Sequence, residues 1–309
     1  MPQPTPRSRR TPEPVRTPAR LPAAHLLAAH LLAPLLLLLF SPLAPAAQAQ
    51  SADPPPLTAA ATHTLVRTVL AREDAALNPS TIWMRYRLRK SSPRLATTKW
   101  IVETRNGDVA HLVAWNDQTL SAERSQFEQQ RLQLLAADPG LQQHRQQREA
   151  VDTERLRKII HALPQAFVYH YAGTLPTPDG TAYRLTFDPN PDFHPFDLEE
   201  QVLKGMAGEM WVNIAAGRVE RLSCTRIRDV DYGLGLFARL NQGGTLLLEQ
   251  HPVADGHWRT TRMVLRMQAR VFFRDIQLDT TLEMSDFAAV PPAMDYREGL
   301  ALLRSLPER

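Results

Sequence analysis

The stretch Arg259-Thr260-Thr261-Arg262-Met263-Val264-Leu265-Arg266-Met267-Gln268-Ala269-Arg270-Val271-Phe272-Phe273 decides the architecture. Met263, Leu265, Met267, Ala269 and Val271 recur at every second position. Arg262, Arg266, Gln268 and Arg270 fill the places between, and Val264 alone breaks the pattern. A period of two puts the two sets on opposite faces of a strand. Slipping the register by one residue would bury three polar side chains, at roughly several kcal/mol in total. The strand therefore points Met263, Leu265, Met267 and Ala269 inward. A strand that is apolar on one face and wet on the other belongs to an antiparallel sheet.

The same reading extends outward along the chain. In 81–90, Ile82, Met84, Tyr86 and Leu88 alternate with Trp83, Arg85, Arg87 and Arg89, a second half-buried strand. Residues 99–104 and 109–115 flank Asn106-Gly107-Asp108, a hairpin signal because Asn-Gly tolerates positive φ. Further strands are expected over 166–171, 183–187, 209–214, 218–228, 245–249 and 275–284, with a proline-rich loop over 188–195 and a short helix over 199–206. Two regions read as helical: 57–77, and an insertion over about 120–163. The insertion breaks at Asp138-Pro139-Gly140, carries Leu156, Ile159, Ile160 and Leu163 on one face, and is expected to stop at Pro164. The fold class is α+β: a curved antiparallel sheet, an open half-barrel, with helices packed on its concave side.

The N-terminal segment is processing rather than fold. Arg7, Arg9, Arg10, Arg16 and Arg20 precede the apolar run Leu31 to Phe40, and Ala47-Gln48-Ala49 offers the small residues a signal peptidase reads. Residues 1–49 are expected to be a signal peptide cut before Gln50, 50–56 a flexible leader, and 57–309 one domain. The apolar run is shorter than the roughly 20 residues of a spanning helix and contains Pro34, so no stable membrane insertion is expected after cleavage. The product is expected in the periplasm or medium; Ser8-Arg9-Arg10 does not decide the export route.

Charge narrows the partners. The chain has 36 Lys and Arg against 32 Asp and Glu. Five of those arginines and one acid, Glu13, fall in 1–49, which leaves the remainder formally neutral. The basic pI belongs to the signal, and a nucleic-acid role is not expected. Cys224 is the single cysteine, so an exported chain has no internal disulfide and must be held by a core. Its place in 218–228 is inward-looking, the setting of a buried, inert thiol.

Catalytic patterns are missing. There is no G-x-S-x-G or S-x-x-K, and His63, His111, His144, His161, His170, His194, His251 and His257 form no metal-ligand spacing. His194 with Asp197, and Asp229 with Asp231 before Tyr232-Gly233-Leu234-Gly235, are the residues a hydrolase or metal-dependent enzyme would use; a hydrogen-bonded loop and an Asp/Gly turn explain them more simply. The arginine stripes read as solvated sheet faces with cross-strand acids. No catalysis and no cofactor are expected. What remains is the apolar side. Met84, Tyr86, Trp100, Val113, Met210, Val212, Met263, Leu265 and Met267, with Val102 and Trp115, supply large adaptable side chains. Such a lining serves either as ordinary core or as a seat for a flexible hydrophobic ligand.

Gly208-Glu209-Met210-Trp211-Val212-Asn213, Gly217-Arg218-Val219, Gly256-His257-Trp258-Arg259-Thr260-Thr261 and the strand pair ending in Ser285-Asp286-Phe287 give a family resemblance. Residues 208–291 resemble the periplasmic lipoprotein-carrier superfamily (LolA/LolB-like), with Thr260 where proline is common. The resemblance implies an open half-barrel plugged by helices, and binding of an acyl chain or a lipidated protein without catalysis. An envelope-scaffolding domain is the remaining alternative.

Overall fold

The computed structural model describes residues 55–78, 82–232, 238–271 and 274–307. The expected signal segment, the leader up to residue 54 and the Gly233-Leu234-Gly235 turn lie outside them.

Helix α1 (Ala59–Ala76) starts at Thr58, whose hydroxyl accepts from the Ala61 amide at 3.2 Å. A meander follows: β1 (Trp83–Ser92), β2 (Leu95–Val102), β3 (Val109–Trp115) and the two-residue β4 (Gln118–Thr119). The turn between β2 and β3 holds Gly107 at φ +89, the left-handed backbone that Asn-Gly was read to supply. The insertion is two helices. Ser121 caps α2 (Ala122–Ala137), and Asp138 both ends α2 and caps α3 (Pro139–Ala166), with Pro139 in the first turn, where its missing N–H costs nothing. Pro164 does not end α3. It sits in the last turn, and the helix runs two residues further, its final turn held by the burial of Leu163 and Ala166.

The second half contains β5 (Phe167–Thr177), β6 (Gly180–Pro189), the short α4 (Leu198–Gln201), β7 (Met206–Asn213), β8 (Arg218–Arg226), β9 (Val230–Tyr232), β10 (Ala238–Leu240), β11 (Thr245–Pro252), β12 (Trp258–Val271) and β13 (Arg274–Val290). The C-terminal region, where no helix was expected, closes with helix α5 (Tyr296–Ser305). Its signal is a capping box. Asp295 accepts from the Arg297 and Glu298 amides, and Glu298 accepts from the Asp295 amide.

All strand pairs are antiparallel, in the order β4-β3-β2-β1-β13-β12-β11-β8-β7-β6-β5, with β10 on β12 and β9 on β10. The two edges, β4 and β5, do not meet, so the sheet is open and curved. β13 brings the chain back beside β1, which places β12 and β13 near the middle of the sheet.

Cover over the two faces is uneven. On the inner face α1 and α3 seal β5 to β8: Val66, Val69, Leu70, Ile160 and Leu163 pack on Phe167, Leu185, Phe187, Met210 and Val212. Of the expected apolar face of α3, Leu156 is exposed. At the other end, α5 and α2 enclose Trp100, Val102, Val109 and Val113 with Leu300, Leu303, Leu132 and Leu135. That cluster lies on the opposite face, because Trp100 pairs with Arg87, whose side alternates with that of Leu88 and Lys90. Gly208 on β7 leaves no room for a side chain, since a β-carbon there would sit 2.0 Å from the Ser223 carbonyl oxygen.

Candidate ligand-binding face

The register assembles the inner face into rows. Leu222, Leu248, Met263 and Leu282 stand side by side on β8, β11, β12 and β13; Cys224, Leu246, Leu265 and Thr280 form the next row; Met267 pairs with Leu278, and Leu88 with Met284. Met263, Leu265 and Met267 are only partly buried, as are Leu246, Leu248, Leu282, Met284 and Leu88, and Leu278 is 42 % exposed. Arg262, Arg266 and Gln268 point to the other side and are exposed, as the alternation requires. An apolar strip four strands wide thus stays open to solvent in the middle of a sheet whose two ends are sealed.

The nine expected lining residues fall into four groups. Met263, Leu265 and Met267 share the open strip. Met210 and Val212 are on the same face but sealed under α1 and α3, at 1 % and 0 % exposure. Met84 is fully buried at the far end of β1, beside Tyr86, whose ring stacks on Phe287 with centroids 5.2 Å apart. Trp100 and Val113, together with Val102, leave the set, because the register turns them to the opposite face under α5. Trp115 sits at the β3 end with Arg124 over its ring. Val113 instead reaches a separate cavity of about 460 Å³ between β3, α2 and α5, lined also by His111, Leu120, Leu132 and Arg304.

Beyond Tyr86 the inner face turns polar. Lys99 stands on β2, Glu103 just past its end and Asp108 just before β3, and the first half of α3 reaches Asp108 with Arg145 and Glu149. Glu103 accepts from the Met84 amide at 2.9 Å, and Arg259 lies 3.8 Å from the same carboxylate. Burial raises the Glu103 and Glu149 carboxyls above the ordinary range and lowers the Lys99 ammonium. Burial, reinforced by Glu103 and Glu149, pushes Asp108 up to about 7 against the opposing pull of Arg145. Sequence reasoning missed this cluster. Its signal was that Lys99 and Glu103 share the period of Ile101 and so face inward.

The residues an enzyme would use are engaged elsewhere. Asp231 holds Arg239 at 2.6 Å across β9 and β10, and Asp229 accepts from the Gln242 amide at 2.7 Å. The His194 ring meets the Asp192 carbonyl of its own loop at 2.7 Å, and Asp197 caps α4. Among the described residues no three His, Cys, Asp or Glu side chains group as a metal site. Cys224 is buried, and desolvation pushes its thiol up to about 12, so it is no nucleophile at neutral pH. The outer arginines meet acids, as expected: Arg89 bonds Asp117 and Glu283 at 2.8 Å, and Arg221 and Arg262 share Glu249. Among the described residues no helix is long and apolar enough to cross a membrane.

No family model matches the chain, and no curated protein matches it. Among solved structures it is similar to a LolA superfamily protein from Nitrosomonas europaea, at 11 % identity and a TM-score of 0.27, over 72 % of this chain and 92 % of that one. It is also similar to a DUF1329 family protein from Desulfovibrio piger, at 9 % identity and a TM-score of 0.27, over 74 % of this chain and 92 % of that one. Both are loose likenesses.

Proposed function

We propose that this chain is a non-enzymatic binding module, exported to the periplasm after loss of residues 1–49, that holds an acyl chain or a lipidated polypeptide against the inner face of its sheet. One observation carries the reading: Leu248, Met263, Leu265, Met267 and Leu282 form a continuous apolar strip that stays partly exposed and that no helix among the described residues seals. Each methylene of a guest chain removed from water there contributes about 0.8 kcal/mol. Met263 and Met267 adapt to a flexible guest because the thioether side chain is unbranched and polarizable. The resemblance of residues 208–291 to lipoprotein carriers agrees with this chemistry.

The test is mass spectrometry of lipids extracted from protein purified out of the periplasmic fraction, followed by titration with an environment-sensitive dye. Co-purified acyl species and saturable dye uptake displaced by a fatty acid are expected. Absence of both makes the strip a bare surface and leaves envelope scaffolding as the better reading. Mass analysis of the purified protein is expected to place its N-terminus at or near Gln50; an intact arginine-rich N-terminus in the membrane fraction would contradict the export.

A further inference from the structure

We propose that the first half of α3 is a proton-sensitive latch on the β2–β3 hairpin, closed while the carboxyl groups beneath it are neutral and released as they ionise. In its consequence for access to the inner face, the latch rests on the binding role proposed above.

The clasp is built from one stripe of α3. Gln142, Arg145, Gln146 and Glu149 follow the helical spacing of i, i+3, i+4 and i+7, and all four reach the backbone of one turn. Gln142 Nε2 donates to the carbonyls of Asn106 and Gly107 at 2.9 and 3.1 Å, Arg145 Nη2 to that of Asp108 at 3.1 Å, and Gln146 Nε2 to that of Arg105 at 3.4 Å. Glu149 Oε2 accepts from the Asp108 amide at 3.1 Å. The approach is close: a β-carbon on Gly107 would lie 2.6 Å from the Glu149 carboxylate. This half of the helix is therefore held by polar bonds to a turn, whereas its C-terminal half is anchored by Ile160, Leu163 and Ala166 in the core.

The clasp is also unsaturated. Gln142 Oε1 and Arg145 Nε are buried without a partner, and among the described residues no hydrogen bond reaches the Asp108 carboxylate. Water would satisfy all three if the helix lifted, so the closed state lacks the reserve of a finished core. The groups facing Asp108 are Glu103 beyond β2, Glu149 and Arg145 on α3, and, around them, Tyr86 on β1, Arg259 on β12 and Arg148 next to Glu149. Lys99, with Arg131 and Glu128 of α2, lies further along β2. Ionising Asp108 places a third carboxylate among Glu103 and Glu149, with Arg145 as its direct cationic neighbour. Because the carboxyls of all three are raised in the folded chain, the closed state binds more protons than the open one. Closure is therefore favoured at low pH and lost as pH rises through about 7.

Hydrogen exchange of the full exported chain, followed from pH 5.5 to 8.5 and corrected for the intrinsic rate, tests this. In the wild type, protection across 140–150 is expected to fall about tenfold between pH 6 and 8, while peptides from β12 hold constant. Asp108→Asn is expected to flatten the curve to within about twofold. Glu149→Gln keeps an acceptor for the Asp108 amide and is expected to shrink the loss at pH 8 by about threefold. A flat wild-type profile, or variants that follow the wild-type curve, would overturn the latch. Dye uptake measured alongside separates the two claims. Uptake that rises with α3 release supports gating of the face. Equal uptake at pH 6 and 8 overturns gating, and no uptake at any pH defeats the binding role while the exchange result stands.

Discussion

Met210 and Leu265 come from the same sheet, the same face and the same alternating pattern, yet one is sealed and the other is half open. The difference lies in what covers them. Over β5 to β8, α1 and α3 supply Val66, Val69, Ile160 and Leu163, and the face becomes core. Over β12 and β13 no such stripe arrives among the described residues, and the same kind of residue remains partly exposed. Period two tells which face a residue takes. The position of the helices tells whether that face is interior or binding site, and that is settled by long-range packing.

The largest effects should fall in the sealed region. Gly208→Ala drives a methyl into the Ser223 carbonyl and the Cys224 backbone. It is expected to cost about 3 kcal/mol or more in chemical denaturation, or to prevent folding altogether. Met210→Ala empties a fully packed site and should cost about 2–5 kcal/mol, whereas Leu265→Ala, already in partial contact with water, should cost about 1 kcal/mol or less. Equal costs for the two would erase the distinction between covered and open strip.

Helix α5 sharpens the comparison from the other face. Asp295→Ala removes two hydrogen bonds at its N-terminus and should cost about 1 kcal/mol in thermal or chemical unfolding. Because α5 packs against Trp100 and Val102 on the side away from Met263, dye affinity should not move. A parallel loss of affinity would show that the two faces communicate.

Much of the fold was legible from local chemistry. Arg262 to Arg270 and Trp83 to Leu88 declared their strands by alternation, Asn106-Gly107 declared its hairpin, and Asp138-Pro139 declared the break between α2 and α3. What failed had a competing cause. Pro164 looked like a helix stop, but a proline in a last turn gives up one bond where the buried Leu163 and Ala166 hold the chain. Helix α5 was overlooked although Asp295 and Glu298 form a capping box ahead of Leu300 and Leu303. The site was less legible than the fold. Trp100 and Val113 are apolar like Met263, and only the pairing of Trp100 with Arg87 and the packing of Val113 in the α5 cluster show that they look the other way. The polar end around Asp108 was hidden because its partners, Arg145 and Glu149, lie some forty residues away in the chain.

The central claim, that the strip over β12 receives an apolar chain, is tested most directly by two neighbouring substitutions on opposite faces. Met267→Trp fills the open strip without adding charge, and Gln268→Trp puts the same ring on the exposed outer face. Both proteins should unfold cooperatively, with overpacking costs of about 1–3 kcal/mol at most. Fatty-acid-displaceable dye binding should then be weakened at least tenfold by Met267→Trp and stay within twofold of wild type in Gln268→Trp. Equal affinities in the two variants, or a wild type that binds neither dye nor fatty acid, would contradict the claim.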